Sequence, residues 1–394
     1  MNLRKKILAW GLFAVSLVTS LSGCSGTTAT SIDSNGVSIT ETKTFHIGSF
    51  GPLTGGAASY GVSIKQGEQL AVDEINKAGG IQVGDEIYTL QLTFVDDQAK
   101  EDIAINAYNS LLDKKVNAVL GGATSGSTLA VAELIGKDNI FQLTPTATAL
   151  NCIPYANQFR LCFTDLAQGE LLVKYVQEKK ISKVGMIYNH ADEYSQGIVD
   201  AFINKIKGSN IQVVAKESFQ TDDVDFSAQL TKIKNANPEI IIAPVYYEVA
   251  AYLLPQANAA GMKIPFLGSD AWDGVLEQLS DASVADGAVF LSPFVNSAPE
   301  VKKFVDDYQA AYQSLPDQFA ADGYDSVYVL KEALEQAKSI KTEDLVRVMT
   351  QIEVAGMTGM IRFDENGECK KEAKFVALEK GKYVERKAET TAAN

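Results

Sequence analysis

Three short runs of small and hydroxyl residues could do chemistry through hydroxyl and backbone N–H groups. They are Gly51-Pro52-Leu53-Thr54-Gly55-Gly56 leading to Tyr60-Gly61, Gly121-Gly122-Ala123-Thr124-Ser125-Gly126-Ser127-Thr128, and Thr144-Pro145-Thr146-Ala147-Thr148. Small side chains let a ligand approach the main chain, and hydroxyls and amides donate, so such runs suit a carboxylate. A second set has the opposite character: Asn189-His190-Ala191-Asp192-Glu193-Tyr194, Val245-Tyr246-Tyr247-Glu248 and Gly268-Ser269-Asp270-Ala271-Trp272-Asp273-Gly274. Carboxylates beside aromatic faces are what an ammonium group needs, by ion pairing and cation–π attraction. Donors in one set and acceptors in the other describe a zwitterion held between them. Each residue alone also has a plainer use, since Ser127, Thr128 or Asp270 can cap a helix and tyrosines can pack at a surface.

Other chemistries lack their parts. No Gly-x-Gly-x-x-Gly follows a strand and no Gly-x4-Gly-Lys-Ser/Thr occurs, so dinucleotide and P-loop fingerprints are missing. There is no His-Glu-x-x-His and no Gly-x-Ser-x-Gly, and the only histidines are His46, in an apolar strand, and His190, in a loop. Two histidines cannot build a three-histidine zinc site, and neither a metal nor a cofactor is expected. Acidic residues number 49 against 35 basic ones, a net charge of −14, and that sign repels nucleic-acid phosphates. A two-carboxylate hydrolase is not excluded by composition, because acid–base work needs only a placed pair.

The elements that must position these runs alternate. From Phe45–Phe50, a strand, the pattern passes to a helix carrying Ile64, Leu70, Ala71 and Ile75 on one face and stopped at Gly79-Gly80. Leu90–Val95 reads as a strand, Ile103–Leu112 as a helix, Val116–Leu120 as a strand, then a helix after Ser127 and a strand at Ile140–Leu143. A second series follows, with strands at Val184–Tyr188, Val213–Ser218, Ile240–Ala243 and Phe266-Leu267 and helices at Tyr194–Lys207, Phe226–Asn235 and Val249–Ala260. Two successive βα series predict an α/β protein with two doubly wound sheets. Helices at Pro299–Gln313 and Ala320–Lys338 and strands at Gly359–Phe363 and Lys374–Leu378 have no series of their own and are expected to return and complete both lobes.

The N-terminus runs from Arg4-Lys5-Lys6 through an apolar stretch, Ile7 to Leu21, to Leu21-Ser22-Gly23-Cys24, the order of a secretory signal. The stretch is shorter than the ~20 residues a bilayer span needs. Leu-Ser-Gly-Cys resembles the bacterial lipobox, which implies removal of residues 1–23 and acylation of Cys24. Residues 24–44, rich in Ser, Thr, Ala and Gly, read as a flexible tether.

Taken in order, the lipobox, Ile47-Gly48-Ser49-Phe50-Gly51-Pro52-Leu53-Thr54-Gly55, Tyr60-Gly61, Leu70-Ala71-Val72-Asp73-Glu74-Ile75-Asn76, Gly79-Gly80-Ile81, Thr144-Pro145, Ala147-Thr148 and Ala320-Ala321-Asp322-Gly323-Tyr324-Asp325-Ser326 resemble the branched-chain amino-acid-binding proteins, type I periplasmic receptors of ABC transporters. The resemblance implies two Rossmann-like lobes joined by a three-crossing hinge and closing on a ligand. The lobes would be 45–164 plus 296–352 and 165–295 plus 353–390. By position, Ser125, Thr146 and Thr148 would hold the α-carboxylate and help fix the ammonium, Asp270 would face the ammonium, and Tyr246 would contribute to recognition. Tyr60, Ala123, Thr124, Tyr194 and Phe319 would line the side-chain pocket. In the leucine/isoleucine/valine receptor a larger apolar residue and a cysteine stand where this chain has Ala123 and Thr124, and a glutamate where it has Asp270, which implies a roomier, slightly more polar pocket. With no Arg or Lys at these positions an acidic side chain would lack a partner, so a neutral amino acid is expected. The partners implied are that amino acid and a membrane permease, with the protein a lipid-anchored monomer on the extracytoplasmic side; a sensory receptor of the same fold would share the pocket.

Cys152 and Cys162 lie close together in an exported chain, where disulfides persist, and are expected to form a local bridge. Cys369 is expected to be a lone thiol in a C-terminal hairpin.

Overall fold

The computed structural model describes residues 42–386 and, before them, the strands Ser31–Ile32 and Ser38–Ile39. The chain divides into Met1–Glu41 and Thr42–Asn394. In the first unit the two short strands pair antiparallel with each other. The signal segment 1–23 and Cys24 lie outside the described residues, as does most of the tether. Regular structure in the second unit begins at Lys43, just inside the expected tether. No helix among the described residues is long and apolar enough to cross a membrane.

Within Thr42–Asn394 the βα alternation builds two sheets. The first runs Ile81–Val83, Glu86–Asp96, Lys43–Gly51, Ala118–Val119, Phe141–Thr144, Gln158–Arg160, parallel except for the antiparallel edge pair. The second runs Gln212–Phe219, Lys183–Asn189, Ile240–Ala243, Phe266–Gly268, Val289–Ser292, Lys374–Glu379, Lys382–Arg386, the last two antiparallel. Central strands covered on both faces need apolar residues throughout, which is why Ile240–Ala243 reads Ile-Ile-Ile-Ala and is buried at every position.

The helices Ala58–Lys77 and Gln318–Ala337 form the tightest helix pair of the first lobe. A Cβ at Gly67 would sit 1.9 Å from the Ala320 carbonyl oxygen, and one at Gly323 2.5 Å from that of Ile64, so only glycine permits this approach of backbones. The late helices thus return to the first lobe, as expected, and the last two strands to the second.

The chain passes between lobes three times, after Gln158–Arg160, after Val289–Ser292 and before Lys374–Glu379. The last passage comes later than the expected 353. Ile352, Ile361, Phe363 and Cys369 are buried in the first lobe's core, and Arg160 bridges to Glu368. The cause is Asp325 on the helix Gln318–Ala337. Its buried carboxylate accepts from Met357 N, Thr358 N and Thr358 Oγ1 and ties the hairpin of strands Val354–Gly356 and Gly359–Ile361 to that lobe.

The expected Cys152–Cys162 bridge is not formed. Both are buried free thiols, Cys152 turned onto the Ser125 carbonyl and Cys162 onto that of Ala147. Cys369 is also free, buried in a reversal that pairs it with Phe363. The helix Asp165–Glu178, absent from the sequence reading, opens the second lobe. Its signal is Thr164, whose hydroxyl accepts from Ala167 N, followed by the buried Leu172, Val173 and Val176.

Candidate functional site

All three runs of small residues lie at carboxyl ends of first-sheet strands, and the acid- and tyrosine-bearing segments at the corresponding ends of the second sheet, facing across the gap. Tyr60, Ala123, Thr124, Ser125, Thr146, Tyr194, Tyr246, Asp270, Ala271 and Phe319 line one small cavity.

Its first-lobe wall is the start of the helix Ser125–Asp138. Thr124 occupies the cap position in extended conformation, yet no side chain caps this helix, and the buried Thr124 hydroxyl has no protein partner. First-turn N–H groups and a spare hydroxyl at one point make a receiver for an anionic oxygen. The Thr146 hydroxyl is already committed, Oγ1 donating to Ala123 O (2.7 Å), whereas Ser125 Oγ accepts from Ala149 N (3.2 Å) and keeps its own proton to donate.

The second-lobe wall carries the single carboxylate of the cavity. Asp270 is 6% exposed, and its Oδ1 accepts from Tyr194 Oη at 2.5 Å. Its backbone is held by Gln168, whose Oε1 accepts from Asp270 N (3.0 Å), and by Gln318, whose Nε2 donates to Asp270 O (2.6 Å). Burial pushes the Asp270 carboxyl up to about 6, with the Tyr194 hydrogen bond pulling the other way. Tyr194 stacks on Tyr246 (centroids 5.1 Å apart), and Tyr60 meets Phe319 edge to face at 4.4 Å. Four aromatic rings therefore enclose an apolar space beside one buried acid. Among the described residues no group of three or more His, Cys, Asp or Glu could hold a metal ion.

The sequence pattern described as "Periplasmic binding protein" matches residues 44–382. The chain belongs to the periplasmic binding protein family. A Leu/Ile/Val-binding protein of Rhizobium johnstonii is 30% identical over 82% of this chain and 88% of its own length. A leucine-, isoleucine-, valine-, threonine- and alanine-binding protein of Pseudomonas aeruginosa is 27% identical over 83% and 87%. Among solved structures, the branched-chain amino acid transporter substrate-binding protein of Streptococcus pneumoniae in complex with isoleucine is 31% identical, with a TM-score of 0.79 over 87% of this chain and all of that one. Members of this family are solute-binding receptors.

In this binding protein nine of the ten residues expected at the ligand meet at the cavity. Thr148 does not. It is buried behind the wall, where its carbonyl accepts from Asp165 N (3.0 Å), its hydroxyl has no hydrogen-bond partner, and burial raises the Asp165 carboxyl well above its usual range. One lining residue was given no role from the sequence: Ala271, which follows Asp270 in the same 3₁₀ turn. Its place in the run around Asp270 was its only signal. His46 is tied to Lys114 O and Thr93 Oγ1, and His190 is exposed, so neither reaches the cavity.

Proposed function

We propose that this chain is the solute-binding receptor of an ABC importer and takes a neutral amino acid, branched-chain or other small aliphatic, between its lobes. The observation that carries the reading is the polarity of the cavity: an uncapped helix start with a free Thr124 hydroxyl on one wall, the lone carboxylate of Asp270 on the other, and no Arg or Lys in the lining. The α-carboxylate takes the donors of Thr124 and Ser125, and the ammonium takes Asp270. The aliphatic side chain lies among Tyr60, Tyr194, Tyr246 and Phe319. An acidic side chain would bury a second anion with no counter-charge, and a basic one would find no second carboxylate in the lining.

Supporting the assignment are the branched-chain amino-acid-binding names of its relatives. The receptor acts as a monomer outside the cytoplasm, held by lipid on Cys24. Calorimetric titration with a panel of neutral, acidic and basic amino acids tests the reading. One-site binding confined to neutral members is expected, and silence across the panel refutes it. Cys24→Ala tests the anchor separately: the variant is expected in the soluble fraction, and its retention on membranes refutes lipidation.

A further inference from the structure

Two helices facing each other across the cleft begin without a cap of their own. The helix Ala58–Lys77 has Ala57 at its cap position and the helix Tyr247–Ala259 has Tyr246, and neither receives a local side-chain hydrogen bond. The first N–H groups of a helix have no partner within it, and buried ones must find one elsewhere. Here each finds it in the other lobe. Ser59 N donates to Tyr247 Oη (3.1 Å), and Tyr247 N donates to Tyr60 Oη (2.8 Å). Both hydroxyls then pass their own proton across the gap, Tyr60 Oη to Ala271 O (2.5 Å) and Tyr247 Oη to Gly56 O (3.5 Å). The two rings lie 4.6 Å apart, and both residues are 3% exposed.

We propose that Tyr60 and Tyr247 cap each other's helices in trans, so that closing the lobes completes two helix starts at once and holds the closed form together independently of the ligand. Opening exposes both helix starts to water and separates both tyrosines from their acceptors, so the latch acts on the closed state alone. Through the Tyr60 bond to Ala271 O the latch also fixes the turn that carries Asp270, while Tyr247 itself lies outside the cavity lining. The inference rests on the receptor reading only in supposing that the lobes open and close.

Tyr247→Phe keeps the ring and removes the hydroxyl. Ser59→Pro removes the matching donor at a first-turn position where proline is tolerated. In stopped-flow experiments with L-isoleucine as probe, each variant should raise the dissociation rate about tenfold, equivalent to ~1.4 kcal/mol, and leave the association rate within about threefold. The double variant should be no worse than Tyr247→Phe alone, because Ser59→Pro deletes a bond that Tyr247→Phe already removes. Small-angle scattering of the ligand-free protein should show a larger radius of gyration in each variant. An unchanged radius together with an unchanged dissociation rate overturns the latch, as does a lowered melting temperature with both of those intact, which would mark a merely structural tyrosine. If no amino acid binds the parent protein, the receptor reading fails while the scattering comparison still decides the latch.

Discussion

Replacing Asp270 by Asn should move stability and affinity in opposite directions. In the ligand-free protein burial raises this carboxyl from its ordinary 3.8 to about 6. At 1.36 kcal/mol per unit, about 3 kcal/mol works against the ionised form. A carboxyl raised in the folded state contributes stability below the unfolded value and loses it as pH climbs through the folded one, so above about pH 6 the charge of Asp270 is a cost to the ligand-free fold. Asparagine keeps an oxygen to accept from Tyr194 Oη but carries no charge. The ligand-free variant should therefore gain up to about 3 kcal/mol at pH 7.5, and the difference from the parent should shrink toward pH 4. Binding suffers instead, because an ammonium buried opposite an amide has lost its counter-charge, a loss of roughly 2–5 kcal/mol or about thirtyfold to several thousandfold in affinity. In the parent, protonation of Asp270 should weaken binding about tenfold between pH 7 and pH 5. Denaturant unfolding of the ligand-free proteins and calorimetric titration with L-isoleucine measure both effects. A variant that is less stable than the parent at pH 7.5, or that binds within threefold of it, would falsify the reasoning.

Thr124→Val removes a hydroxyl without a protein partner, so it should leave unfolding unchanged while weakening amino-acid binding about ten- to a hundredfold, the worth of a hydrogen bond to a charged group; equal affinity by calorimetry would remove Thr124 from the carboxylate site. Lys371 is buried against Asp322 at 2.5 Å beside the third passage between lobes, and although burial works against its charge, Asp322 and Asp325 outweigh it and hold the amine above its usual range. Lys371→Met should cost about 3–5 kcal/mol in denaturant unfolding and be partly rescued by Asp322→Asn; a loss under 1 kcal/mol would contradict a buried pair. Burial pushes the Cys152 thiol up to about 12, and neither it nor Cys162 is bridged, so reductant should leave the melting temperature unchanged and alkylation of both should require denaturant; a reductant-dependent melting shift would show a bridge after all.

Most of the architecture was legible because strong periodicity and short connections leave little freedom. Ile240–Ala243 was read to the residue, and the cavity lining followed from the family resemblance, which placed nine of its ten residues at strand and helix ends that a doubly wound fold brings together. Misreadings came where long-range contacts decide. Nothing local in residues 353–369 reveals that Asp325 holds them to the first lobe. Likewise Cys152 and Cys162 are near in sequence, but each thiol faces a different carbonyl. Thr148 sits in the right run but is buried behind the cavity wall with its hydroxyl unpaired, a placement that spacing cannot encode. Tyr247 illustrates the same limit, since its use depends on a helix start in the opposite lobe.

The three passages between lobes also set the order in which the molecule can be assembled as the chain is made. The first sheet is complete by Arg160, yet the helix that packs backbone to backbone on Ala58–Lys77 is not synthesised until residues 318–337, after five strands of the second sheet. That second sheet in turn ends its edge only with Lys374–Glu379 and Lys382–Arg386. During synthesis each lobe waits on a segment that follows the other, so neither is a self-sufficient early domain and burial of both cores falls to the last stretch of chain. A nascent chain of this topology remains without a finished lobe, and open to whatever binds unfolded segments, until nearly all of it has emerged.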